Sequence, residues 1–191
     1  MVSEQELVAR ARAGDESAFE QLVQDNQNRI YNLTLRMTGN PDDALDMAQE
    51  AFLRAWRGLK FFKGDSAFST WLYRLASNVC LDHLRKQKRR QNINLSQLSD
   101  EEDNGPPDVP DERYQPDLCL EKKSLREAVQ RGLDLLSEEH RQVLVMREIS
   151  GLSYQEIADV LDLEAGTVKS RINRARLALR KILLESGNFS Q

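Results

Sequence analysis

Cysteine and histidine are almost absent: Cys80, Cys119, His83 and His140 are the only ones among 191 residues. A disulfide framework is therefore excluded, and with it an ordinary structural zinc site needing four Cys/His ligands. Nine glycines and five prolines leave little room for an all-β fold dense in turns. No stretch approaches the ~18 uninterrupted apolar residues of a membrane helix, so membrane insertion is not expected. The opening MVSEQELVARARAGDE has no apolar core after a basic start, so no secretory signal is expected either. A reducing cytoplasm is the expected compartment. With 40% apolar and 30% charged residues, the composition predicts an all-α soluble protein of one ordinary domain or two small ones. Nothing in it asks for a structural metal or a cofactor.

The formal net charge of −4 conceals a segregation. Residues 1–90 carry +2, residues 91–121 carry −8, and residues 122–191 carry +2. The middle segment, SDEEDNGPPDVPDERYQPD, holds four of the five prolines and almost no aliphatic side chains. It cannot bury enough apolar area to offset its chain entropy, which predicts an acidic flexible linker over 92–121 between lobes 1–91 and 122–191. Two roles stay open for it: a solvated spacer, or an imitation of nucleic acid inside a basic channel.

The N-terminal lobe has the spacing of four helices. Ser3 and Glu6 open the first, to about Ala13. Asp15 caps the second, in which Phe19, Leu22, Val23, Ile30, Leu33 and Met37 recur at helical spacing until Gly39. Asn40-Pro41-Asp42-Asp43 starts the third: a cap, a proline in the first turn, and carboxylates at the positive end of the dipole. Its expected core stripe is Leu45, Ala48, Phe52, Ala55, Trp56 and Leu59. A second face, Asp46, Gln49, Glu50, Leu53 and Arg57, is either solvated charge or a protein-docking surface around a lone leucine. The fourth helix is expected from Ser66 to Arg90, with Phe68, Leu72, Leu75 and Val79 inward and Trp71, Arg74, Asn78 and Arg85 on another face. It ends in five cations among six residues, Arg85 to Arg90, which exceeds what a helix C-terminus needs and suits phosphates. Seven of the twelve aromatics lie between Phe52 and Tyr73, interleaved with Arg54, Arg57, Lys60, Lys63 and Arg74. Rings set among cations suit single-stranded nucleic acid, where each stacked base contributes ~1–3 kcal/mol; core packing is the competing explanation for any one ring.

The C-terminal lobe has the spacing of a helix-turn-helix. Ser137 caps a helix through Ile149. Ser153 and Glu156 form a capping box for a short helix, Tyr154–Leu161. Asp162-Leu163-Glu164 is the turn, and a long helix runs from about Ala165 to Leu184. Val168, Ile172, Ala175, Leu179 and Ile182 make its buried stripe. Thr167, Ser170, Asn173 and Arg174 project from the opposite side, edged by Lys169, Arg171 and Arg176. Polar side chains near the start of a second helix, flanked by cations, are what major-groove reading requires.

These blocks resemble the sigma-70 family of bacterial RNA polymerase subunits, specifically the small extracytoplasmic-function (ECF) group. DMAQEAFLRAW resembles the polymerase-docking helix, FKGDSAFSTWLYRLASNVCLDHLRKQKR the −10-reading and melting segment, and LSYQEIADVLDLEAGTVKSRINRARLALR the −35-reading helix-turn-helix. The turn departs from the pattern at Asp162, where glycine is common, and at Glu164, where serine or proline is. The resemblance implies a protein without catalytic residues that directs core polymerase to promoters and helps separate the strands. Asp46, Gln49, Glu50, Leu53 and Arg57 would meet the clamp helices of the largest subunit, and the flap would be a further polymerase contact. Lys63, Gly64, Ser66, Ala67 and Phe68 would receive a flipped base. Trp71, Arg74 and Asn78 would lie beside the −10 strand, with Arg85, Lys86, Lys88 and Arg89 on phosphates. Thr167, Lys169, Ser170, Arg171, Arg174 and Arg176 would face the −35 element. The linker would thread toward the RNA exit channel. An anti-sigma factor is an expected partner.

Two other classes are compatible with parts of the sequence. A homodimeric helix-turn-helix repressor accounts for the C-terminal lobe alone. A DNA-processing enzyme would need a nucleophile or metal-carboxylate set; Asp42, Asp43 and Asp46 read as helix-start carboxylates, and Cys80 with His83 as helix packing.

Overall fold

The computed structural model describes residues 2–97 and 118–186, with side chains at 2–90 and 125–186. The centre of the expected linker lies outside the described residues. The described residues form eight α-helices and no strand: α1 Glu4–Arg12, α2 Glu16–Thr38, α3 Pro41–Gly58, α4 Phe68–Gln97, α5 Leu118–Asp134, α6 Glu138–Leu144, α7 Tyr154–Leu161 and α8 Ala165–Glu185.

The polar punctuation sets most of the boundaries. Ser3 Oγ accepts from the Glu6 N–H and Asp15 Oδ1 from the Ala18 N–H. Asn40 Oδ1 accepts from Asp42 and Asp43, ahead of which Pro41 costs no hydrogen bond. Ser137 and Ser153 accept from His140 and Glu156. Each acceptor satisfies one or two of the N–H groups that a helix start leaves without a partner. Past Leu144 the expected helix goes on to Ile149 as a π turn, in which the Ser150 N–H reaches back to the Val145 carbonyl.

In the N-terminal lobe α2 is central and packs on α1, α3 and α4. Leu22, Ile30, Leu33 and Met37 are fully buried along it, each contributing roughly 1.5–3 kcal/mol of transfer free energy. In the C-terminal lobe α8 is central and packs on α5, α6 and α7. Two features differ from expectation. The first is α5, whose apolar positions Ala128, Val129 and Leu133 pack inward beside the acidic segment. The second is the core face of α3, which consists of Ala44, Ala48, Ala51, Ala55 and then Leu59. Leu45 is 51% exposed and Trp56 37% exposed. Small alanines let α2 and α3 approach closely, and the large residues are turned outward as a result.

The lobes also touch: α4 packs on α7, and α2 packs on α5 and on the π turn. Arg141 is the polar centre of that contact. Its guanidinium, buried to 8% exposure, donates to the carbonyls of Leu133, Asp134 and, across the lobes, Met37. Burial lowers its pKa, and the carboxylate of Asp134 at 3.6 Å acts in the opposite sense.

Candidate nucleic-acid and protein interfaces

Three surfaces gather the residues singled out in the sequence. The first is an apolar groove of about 530 Å³ between α2 and α3, lined by Phe19, Val23, Gln49, Phe52, Leu53 and Trp56, with Glu16 at its edge. Phe19 and Trp56 form its floor, with ring centroids 4.8 Å apart. Gln49 and Leu53 line it directly, and Leu53 is 49% exposed. Glu50 points beside it, held by Arg54 at 2.7 Å, and that bond lowers its pKa. Asp46 and Arg57 are exposed on the same helix, outside the groove. The sequence reading missed Phe19, Val23, Phe52 and Trp56 as groove residues, because large apolar side chains at helical spacing read as core.

The second surface begins at the 3-10 turn Leu59–Phe61 and the loop to α4. Phe61 is 73% exposed, with Lys60 Nζ 4.9 Å above its ring. Lys63, Gly64 and Ala67 are exposed and Ser66 half-buried, and Gly64 takes φ 81°, a left-handed turn that favours glycine. Beneath them lies a stack of rings: Trp71 sits 4.9 Å from Phe62 and 5.8 Å from Phe68. Gly58 lets the indole lie against the end of α3, since a Cβ there would meet Trp71 Cζ2 at 3.3 Å. Phe68 requires a correction. At 1% exposure its ring cannot meet a base; it supports Trp71 from below, while its N–H is held by Glu4 at 3.0 Å. Phe61, Lys63, Ser66, Trp71 and Arg74 line a cleft of about 840 Å³. Asn78 and Arg85 line its continuation, where Arg85 lies 3.5 Å from Glu138. Lys86, Lys88 and Arg89 are exposed further along α4.

The third surface is the helix-turn-helix. Ser153 and Glu156 close a reciprocal capping box at 3.2 and 2.8 Å, which lowers the Glu156 pKa. Arg147 positions the approach to α7, donating to the Leu152 carbonyl at 2.8 Å and lying over the Tyr154 ring. Asp162 takes φ 55° and ψ 52° at the turn, the conformation for which its aspartate is suited. Glu164 precedes α8 without making a side-chain cap. Val168, Ile172 and Ala175 are buried, and Lys169, Ser170, Asn173 and Arg174 are exposed. Thr167 is half-buried at the cleft edge, and Arg171 reaches Glu139 at 3.3 Å. Arg176 does not share the face of Thr167, Ser170 and Arg174. Two residues beyond Arg174 is about 200° around the helix, and Arg176 instead binds Glu148, Nε to Oε1 at 3.0 Å. That pair edges a second apolar groove, of about 540 Å³, lined by Leu133, Leu144, Ile149, Leu179 and Leu183.

The Cys80 thiol is buried and pushed up to about 12 by burial. His83 Nε2 lies 3.5 Å from Asp43 Oδ1, and among the described residues no group of three or more acidic, cysteine or histidine side chains is placed to hold a metal. No described helix is long and apolar enough to cross a membrane.

Both lobes have counterparts among known proteins. Residues 22–90 match sigma-70 region 2 and residues 126–179 match sigma-70 region 4. The chain is 39% identical to the RNA polymerase sigma-H factor of Pseudomonas aeruginosa, over 94% of this chain and 93% of that one. It is likewise 39% identical to the ECF RNA polymerase sigma-E factor of Escherichia coli, over 93% of each. Among solved structures, CnrH in complex with the cytosolic domain of CnrY superposes with a TM-score of 0.66 at 27% identity, over 93% of this chain and 94% of that one.

Proposed function

Because the chain belongs to the sigma-70 family of RNA polymerase sigma factors, in its extracytoplasmic-function group, we propose how its surfaces divide the work of that family. As a sigma factor it binds core RNA polymerase and directs initiation at promoters. The groove around Leu53 receives the clamp helices of the largest polymerase subunit, with Asp46, Gln49, Glu50 and Arg57 setting orientation around it. The C-terminal groove edged by Arg176 and Glu148 suits an apolar element of the same enzyme, the flap. The cleft of Lys63, Ser66, Trp71 and Arg74 holds the separated −10 strand, with Asn78 beside it and Arg85, Lys86, Lys88 and Arg89 on phosphates. Thr167, Ser170 and Arg174 face −35 base edges, flanked by Lys169 and Arg171. Lobe 1–91 carries docking and melting, and lobe 122–191 carries duplex reading. An anti-sigma factor is a further partner, as a partner domain is for CnrH.

The observation that carries this reading is the half-exposed Leu53 over an apolar floor of Phe19, Phe52 and Trp56. A homodimeric repressor would have no use for the ring stack under Lys63. Glu50→Lys with Leu53→Ala tests it, since neither side chain belongs to the buried core. The double variant should co-elute with core polymerase at least about tenfold less than the parent, a difference of ~1.4 kcal/mol, and keep its helical circular dichroism. Undiminished co-elution would remove this groove as the docking site.

A further inference from the structure

A helix start leaves N–H groups to be satisfied, and α4 meets that need from outside itself. Asp15, Asn40, Ser137 and Ser153 cap their own helices. Ala67, in the corresponding place before α4, has no side-chain acceptor, and Ser66 Oγ donates to the Ala67 carbonyl at 3.3 Å. The acceptor comes from α1: Glu4 Oε1 takes the Phe68 N–H at 3.0 Å, across 64 positions of sequence. Glu4 is not needed by α1 itself. Ser3 caps that helix, Glu6 supplies a second carboxylate to the same first turn, and Leu7, Val8 and Ala11 anchor it by burial. α1 packs both on the turn that enters the loop, Leu59–Phe61, and on the helix that leaves it, α4.

We propose that Glu4 is a positioning residue for −10 recognition: by holding the Phe68 N–H from α1, it sets where the loop Lys63–Ala67 joins α4 and keeps that loop in its base-receiving shape. The inference rests on the reading that this loop takes a base of the separated strand. Phe68 is held twice, its ring by the core at 1% exposure and its N–H by Glu4. The ring fixes the residue's place, and the carboxylate fixes the direction of the peptide that leads into it from Ala67 and Ser66. The loop has little other restraint at its far bend, where a Cβ on the left-handed Gly64 would meet nothing within 4 Å. Without the Glu4 bond the Phe68 N–H turns to water and the first turn of α4 frays, as helix ends do. A frayed loop still admits a base but distinguishes bases less, because selective contacts need their groups held to within about 0.5 Å.

The test uses the full chain reconstituted with core polymerase, on a promoter whose start depends on the parent chain and whose −10 positions are varied base by base. The readout is the ratio of transcription between the preferred and the poorest base at each position. Glu4→Ala should flatten that ratio at one position about three- to tenfold, the range expected for one lost hydrogen bond to a charged group. Its co-elution with core polymerase should match the parent. A variant that was merely less stable would lower every promoter alike and leave the ratio unchanged. Glu4→Gln keeps an acceptor of the same length and should stay within about twofold of the parent, the shortfall reflecting the lost charge assistance. Glu6→Ala removes a carboxylate from the same turn without touching α4 and should leave the ratio intact. A parental ratio in Glu4→Ala, with Lys63→Ala still flattening it, would overturn the inference and leave the strand reading standing. Equal flattening by Glu4→Gln, or by Glu6→Ala, would overturn it as well, since charge on α1 and not the bond to Phe68 would be the cause. If Lys63→Ala together with Ser66→Ala left every ratio unchanged, the loop would not receive a base, and the strand reading and the inference would fall together.

Discussion

Arg174 and Arg176 are two residues apart and have different surroundings. Arg174 is exposed beside Ser170, with its Nε 3.4 Å from the Ser170 carbonyl, and is free to reach a base edge. Arg176 is tied to Glu148, which raises its pKa. A bidentate arginine–guanine pair discriminates by ~1–3 kcal/mol, whereas a groove residue does not touch sequence at all. Arg174→Ala should relax preference at one −35 position in a promoter-variant library. Arg176→Ala should leave the pattern of preference intact. A uniform loss across the library for Arg174→Ala would make it a phosphate contact. The sequence placed Arg174 on the reading side from spacing alone. It set Arg176 on the flank of that side but not beside Glu148, because that partner is 28 positions away. Phe68 was ambiguous for a related reason: its place in the loop motif and in the helical stripe pointed to opposite surroundings, and burial decided between them.

Helix starts were legible because their chemistry is local. Asp15 illustrates this. Hydrogen bonds from Ser17 and Arg10, then the Ala18 N–H, hold its carboxyl down to about 2. A carboxyl depressed in the folded state stabilises above its unfolded pKa, near 4, and that stabilisation is lost as pH falls toward 2. Thermal midpoints should therefore be flat above about pH 5 and fall below it. Asp15→Asn keeps an N-cap acceptor and should flatten part of that fall; an identical acid profile would show that Asp15 is not a contributor. The inner face of α3 was less legible. Periodicity weighted by size selected Leu45, Phe52 and Trp56, while the side packed on α2 is the alanine row. The same inversion supplies the docking groove, since Leu53 and Trp56 keep exposed apolar area beside Phe19 and Phe52. The helix α5 went unseen because its first turns adjoin the acidic, proline-rich segment, whose composition masked a short apolar repeat.

Across the whole molecule, the two-lobe, all-helical organisation followed from charge segregation and from the order of the three motif blocks. The contact between the lobes did not. It runs through Arg141, Gln142, Gln130 and Arg36, residues that any sequence reading assigns to solvent. Reconstitution of this chain with core polymerase, followed by mapping of transcript starts on genomic fragments, reads its role as a promoter-directing subunit. New starts that depend on this chain and share two upstream motifs at fixed spacing are expected, together with their loss in the Glu50→Lys, Leu53→Ala variant. A chain that bound duplex operators on its own and added no transcript starts to core polymerase would contradict it.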